Sequence, residues 1–199
     1  MPCLTEKGLN KWLSSRGHAI SESDPNWPRA EPVMQFYAPK TYQGTQCLVD
    51  TVLREVFEEG ETLIVIDYAE PFDDCDQVIM EAMAKFLEGR HYNYFELPPN
   101  HFPSFKFKKS EWSRAVALFT LLSTFGWNCF LYGSNNQLTL FNWEGEIYDF
   151  WTDSEVKRKN MNRIIRTFAL KRIRRRKSGH LVTTPESLAA KRPNMNSRG

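Results

Sequence analysis

Apolar positions in this chain follow two rhythms that take turns, a helical spacing and short unbroken runs. Leu9, Trp12 and Leu13 give the helical spacing over residues 5–16, with Thr5 as N-cap and Gly17 as stop. Leu48, Val49, Val52, Leu53, Val56 and Phe57 repeat it over 46–59, ended by Gly60. Leu63 to Ile66 is then an unbroken aliphatic run. It lacks the alternation of a half-solvated strand and predicts a strand at 62–68 covered on both faces, the usual state of a central parallel strand. Ile79, Met83, Phe86 and Leu87 return to helical spacing over 73–88, and a Tyr- and Phe-rich strand is expected at 91–97. Strand, helix and strand in succession make a right-handed parallel crossover the expected topology.

The second half repeats the alternation. Ser110 starts and Gly126 closes a helix at 111–125, with Trp112, Ala115, Val116, Phe119, Leu122 and Phe125 in its core stripe. Three strands follow, at 127–132, 137–143 and 146–151, joined by GSNN and by Glu144-Gly145. Thr152 and Glu155 have capping-box spacing ahead of a helix at about 154–176, docked through Met161, Ile164, Ile165 and Phe168. Pro25, Pro28, Pro32 and Pro39 make 18–44 an irregular loop, pinned by Trp27, Phe36 and Tyr37. Pro98, Pro99 and Pro103 mark a second loop, carrying Phe102, Phe105 and Phe107. The expected fold is α/β: a mixed sheet with a parallel βαβ core and a C-terminal β-meander, helices on at least one face. Residues 1–155 make the domain, 156–177 a basic amphipathic helix, and 178–199 a polar, disordered tail.

Charge changes this picture more than composition does. The net charge of +2 over 199 residues conceals +13 on residues 156–199 and therefore −11 on residues 1–155. Eleven cations fall within 21 residues: Lys157, Arg158, Lys159, Arg163, Arg166, Lys171, Arg172, Arg174, Arg175, Arg176 and Lys177. On a helix they line a cylinder that tracks phosphates by counterion release, giving affinity rather than sequence reading. Stacking aromatics are missing from 171–177, which argues against base-specific single-strand binding. Between Glu55 and Asp76 lie nine carboxylates and no Lys or Arg. Of these, Glu55, Glu58, Glu59, Glu61, Glu70 and Asp76 form an acidic surface. It suits a basic partner, as in a small immunity or inhibitor protein using residues 55–76, or the chain's own basic helix, in cis or across a homodimer.

Catalytic signals are sparse. Asp67 ends the strand at 62–68, where open α/β sheets place ligands, and Glu70, Asp73 and Asp74 follow it. Asp67, Glu70 and Asp73 could hold Mg²⁺ or Mn²⁺ in a metal-dependent phosphoester hydrolase that also uses Asp74. The competing reading makes Asp73 and Asp74 helix caps and the others solvated. His91 and His101 are the weak acid–base candidates, alongside Asp67, Asp73 and Asp74. No GxGxxG, GKS, GKT, GxSxG or CxxC occurs, and no cofactor is expected. Cys47 and Cys129 are read as buried free thiols. No run approaches a membrane span, and the first residues lack a signal-peptide pattern, so the expected compartment is the cytoplasm. The chain therefore reads as a non-catalytic interaction or regulatory protein with an acidic surface and a basic C-terminal arm. Its expected partners are a protein or a second copy, through opposite charges, and nucleic acid for the arm.

Overall fold

Short polar caps fix where each apolar stripe becomes an element. In the computed structural model, which describes residues 3–19, 28, 30–58, 60–67, 104–135 and 137–173, Thr5 caps α1 (Glu6–Ser15) by accepting the Gly8 amide at 3.2 Å. Thr41 caps α2 (Tyr42–Val52) in the same way through Gly44 at 3.1 Å. α2 then widens into a π turn, Leu53–Phe57, in which the Glu58 amide reaches back to the Leu53 carbonyl at 3.0 Å. Gly60, at φ +83°, takes the left-handed conformation that lets the chain turn into the sheet.

The strands are β1 (Cys3–Leu4), β2 (Met34–Tyr37), β3 (Thr62–Ile66), β4 (Ser104–Phe107), β5 (Cys129–Tyr132), β6 (Thr139–Trp143) and β7 (Ile147–Trp151). They form one seven-stranded sheet in the order β1-β4-β3-β5-β6-β7-β2, and every neighbouring pair is antiparallel. The expected parallel βαβ core is thus overturned. β3 lies between β4 and β5, with Ile64 opposite Phe105 on one side and Leu131 on the other. All five residues of β3 are buried, as an unbroken aliphatic run requires. Cover on both faces says nothing about strand direction, and here helices supply that cover for an antiparallel sheet. The helix expected at 73–88 and the strand at 91–97 lie outside the described residues, as do the tail at 178–199 and residues 20–27 and 29 of the 18–44 loop.

Two strands arise where loops were expected. β4 draws Phe105 and Phe107 into the core, and β2 draws in Met34 and Phe36. Pro32 and Pro39 flank β2 without interrupting it, a placement that removes no ladder hydrogen bond.

The sheet separates two cores. Leu48, Val49, Val52 and Val56 of α2 and its π turn join α3 (Trp112–Thr124) and α4 (Glu155–Thr167) on one face, over Phe36, Ile64, Phe107, Leu131, Leu140 and Phe150. Leu9, Trp12 and Leu13 of α1 cover Leu63, Val65, Phe130, Tyr132, Phe141 and Trp151 on the other. β3, β5, β6 and β7 therefore send alternate residues to different helices. Cys129 is buried, whereas Cys47 is exposed, because it sits beside rather than within the α2 stripe.

α4 departs from its expected bounds. Its N-cap is Ser154, whose hydroxyl accepts the Lys157 amide at 3.4 Å; Thr152 instead accepts the Ser154 amide at 3.1 Å. The helix ends at Thr167 rather than continuing towards 176. Ala169 turns left-handed (φ +51°), and the Leu170 amide closes onto the Ile165 carbonyl at 2.9 Å. The chain then runs extended along the free edge of β2. Arg172 bridges Phe36, the Tyr37 amide donates to the Lys171 carbonyl at 2.9 Å, and the Ile173 amide donates to the Gln35 carbonyl at 2.9 Å.

Candidate functional site

The docking stripe of α4 decides where its cations point. Met161, Ile164 and Ile165 are buried, so Lys159, Arg163 and Arg166 fall on the outward side at helical spacing. Arg172 reaches the same side by a different route. Directly bridged residues of antiparallel strands share a face, and its partner Phe36 faces the three-helix core. Lys159, Asn162, Arg163, Arg166, Thr167 and Arg172 line one open depression of about 480 Å³. Among the described residues, no carboxylate pairs with Lys159, Arg166 or Arg172. Three guanidinium forks, one of them paired with Glu55, and one ammonium carry the donor geometry and charge that suit phosphate or carboxylate oxygens.

Three other members of the basic run are used otherwise. Lys157 Nζ lies 2.9 Å from Glu58 Oε2, and Arg158 pairs with Glu155 at 3.3 Å within the helix. Lys171 alternates to the opposite face, where its Nζ sits 5.7 Å from the Tyr37 ring centroid. Arg174, Arg175, Arg176 and Lys177 lie outside the described residues.

Much of the acidic surface faces cations of the same chain. Glu55 Oε2 holds Arg163 at 2.9 Å, and its backbone carbonyl accepts Asn160 Nδ2 at 3.0 Å. Glu61 meets Lys106 at 3.1 Å and Arg16 at 3.3 Å. Burial pushes the Glu61 carboxyl up, and Lys106, with help from Trp12 and Arg16, more than reverses it, leaving it lowered. Exposed pairs of this kind are each worth about 0–1 kcal/mol, so they orient groups more than they hold the fold. Glu59, Glu70, Asp73, Asp74, Asp76, His91 and His101 lie outside the described residues. Asp67 is half-buried just past β3, its amide donating to the Asn128 carbonyl at 2.9 Å. Among the described residues no cluster of His, Cys, Asp or Glu could hold a metal ion.

Asn162, Thr167 and the cations Arg16, Arg54, Lys106 and Lys109 escape the sequence reading. For Asn162 and Thr167 the spacing to Arg163 and Arg166 was a usable signal. The others are set by tertiary neighbours alone.

The described interior also holds two titratable groups pushed in opposite directions. Asp149 is 3% exposed; its Oδ2 accepts Trp143 Nε1 at 2.9 Å, and its Oδ1 has no partner among the described residues. Burial raises its carboxyl above the ordinary 3.8 despite the donors Trp143 and Gln35. Burial lowers His18 below 6.5, against the Gly133 carbonyl that sits 2.8 Å from its Nε2. Folding thus favours the neutral form of both. The His18 contribution to stability is present above pH 6.5 and is lost as pH falls through its folded value. The Asp149 contribution is present below pH 3.8 and is lost as pH rises through its folded value. Asp149→Asn is accordingly expected to raise the melting temperature at pH 7 and to give no gain near pH 3.5. An equal shift at both would assign the effect to packing instead.

Burial also raises the Cys129 thiol well above its usual range, which leaves it un-ionised at neutral pH. Among the described residues no helix is long and apolar enough to cross a membrane. The chain matches no family model, no curated protein and no solved structure.

Proposed function

We propose that this protein is a non-catalytic binding protein whose α4 face holds a phosphate-bearing polymer, with nucleic acid as the ligand. The supporting observation is the convergence of Lys159, Arg163, Arg166 and Arg172 on one depression. Arginine forks suit phosphate oxygens, and a hollow with this polar lining offers no anchor for an apolar ligand. Contacts of this kind give affinity and register rather than base reading. The reading as a binder of basic proteins loses ground, because Glu55, Glu58 and Glu61 already face cations of their own chain. The phosphoester-hydrolase reading draws no support from the half-buried Asp67.

The test is fluorescence anisotropy of a labelled single-stranded oligonucleotide and a duplex against salt, using the full chain. Affinity is expected at low salt, with log K falling linearly in log salt by roughly 0.7–0.9 per phosphate engaged. Absence of low-salt binding, or binding indifferent to salt, would sink the reading.

A further inference from the structure

We infer that a second phosphate-binding depression lies across the π turn from the first, and that one nucleic-acid strand engages both. This deepens the proposed function and rests on it. The second depression is lined by Arg54, Lys109, Ser110, Trp112 and Ser113, and has the same volume of about 480 Å³.

Its open charge is that of Lys109. Lys109 Nζ donates to the backbone carbonyl of Glu58 at 2.9 Å, a neutral acceptor that leaves the positive charge uncancelled. The same nitrogen lies 5.5 Å from the Trp112 ring centroid, which holds the ammonium without neutralising it. Arg54 gives its Nε to Asp50 at 2.8 Å, an ion pair that offsets its charge, and contributes its terminal nitrogens as hydrogen-bond donors. Ser110 and Ser113 are exposed and add hydroxyl donors at the start of α3.

The π turn joins the two depressions. Arg54 lines the second; its neighbour Glu55 pairs with Arg163, which lines the first. Adjacent Cα atoms are about 3.8 Å apart, so residues bordering both depressions belong to the same turn. Glu58 ties the same two sides together, its carbonyl holding Lys109 and its carboxylate holding Lys157. The result is cation cluster, carboxylate, cation cluster. A single small phosphate satisfies one end of that pattern, whereas a chain of phosphates separated by neutral sugars satisfies both. An acidic peptide fits less well, because the Trp112 ring is only 7% exposed and offers no usable apolar anchor.

The experiment measures a fluorescein-labelled 20-nucleotide oligodeoxythymidine against salt, with the 199-residue chain, three paired substitutions and one single substitution. Arg54→Gln with Lys109→Gln is expected to lower the slope of log K against log salt by roughly 0.7, for the one phosphate that Lys109, with no carboxylate partner among the described residues, neutralises. Lys7→Gln with Lys11→Gln removes equal charge from α1, across the sheet, and is expected to leave the slope unchanged. Ser110→Glu disturbs neither the Asp50 nor the Glu58 contact and is expected to weaken binding as well. An unchanged slope in the Arg54/Lys109 pair, or an equal loss in the Lys7/Lys11 pair, overturns the second depression. If Lys159→Gln with Arg166→Gln still weakens binding in that case, the proposed function stands without it. No salt-dependent binding by the parent chain would remove both.

Discussion

Replacing Lys159 and Arg166 with glutamate is expected to lower nucleic-acid affinity by roughly a hundredfold at physiological salt and to flatten its salt dependence. Both side chains are exposed on the outward side of α4, and neither belongs to its buried stripe of Met161, Ile164 and Ile165. Surface changes of that sort move stability by about 0.5 kcal/mol or less, so lost binding would not reflect lost fold. Glu55→Gln is expected to act in the opposite direction. Glu55 holds Arg163 at 2.9 Å on the rim of the depression and therefore competes with an incoming phosphate for the same guanidinium. Removing its charge releases one cation and should steepen the salt slope by up to about 0.7 on a single strand. Anisotropy titrations of the two variants beside the parent decide the matter. Weaker binding by Glu55→Gln would mean that the carboxylate positions Arg163 for the ligand instead of occupying it.

Gly145→Ala is expected to cost roughly 3 kcal/mol or more. Gly145 has φ +74° in the β6–β7 turn, and a methyl group there would lie far inside contact with the Ser123 carbonyl oxygen near the end of α3. The surroundings have little room to yield. Asn142 pins the turn, its Oδ1 accepting the Gly145 amide at 3.1 Å and its Nδ2 donating to the Trp127 carbonyl at 2.7 Å. Ser123 is held from below by the Tyr148 hydroxyl at 3.1 Å. At about 2–4 °C per kcal/mol for a chain of this size, the melting temperature should fall by roughly 6–12 °C. Gly17→Ala is the control: φ is +73°, nothing lies within 4 Å of the added carbon, and only the backbone cost applies. Equal losses in the two variants would show that the Ser123 contact relaxes freely.

Helices with both a stripe and a cap could be read from the chain, and directions could not. The stripe Leu9, Trp12, Leu13 behind Thr5 fixes α1 to within a residue of its bounds. Trp112 through Leu122 does nearly as well for α3. The start of α2 is missed because Tyr42 and Gln43 are exposed and carry no stripe; the Thr41 side chain is the only local mark. β2 and β4 are hidden by flanking prolines and by their short length. Strand direction depends on which segments return beside Leu63–Ile66, and that is settled by partners such as Phe105 and Leu131 far along the chain.

The site shows the same division. The cations of α4 stand out as a run, and their spacing to Met161 and Ile164 sorts outward from inward. Arg172 cannot be sorted that way, because the chain leaves the helix, turns at Ala169 and lies along β2. Nor does the sequence show that Glu55 and Arg163, so distant in the chain, meet at 2.9 Å.

The strip formed by Lys171, Arg172 and Ile173 has a bearing on how copies of this molecule behave towards one another. β2 is the last strand of its sheet, and these residues occupy hydrogen-bonding groups of Gln35 and Tyr37 that would otherwise be bare. A shortened chain ending before Lys171 would offer that row to the same row on a neighbour, and lateral stacking into insoluble ribbons is the natural outcome. The intact chain blunts this hazard with two like charges placed where a second molecule would have to dock.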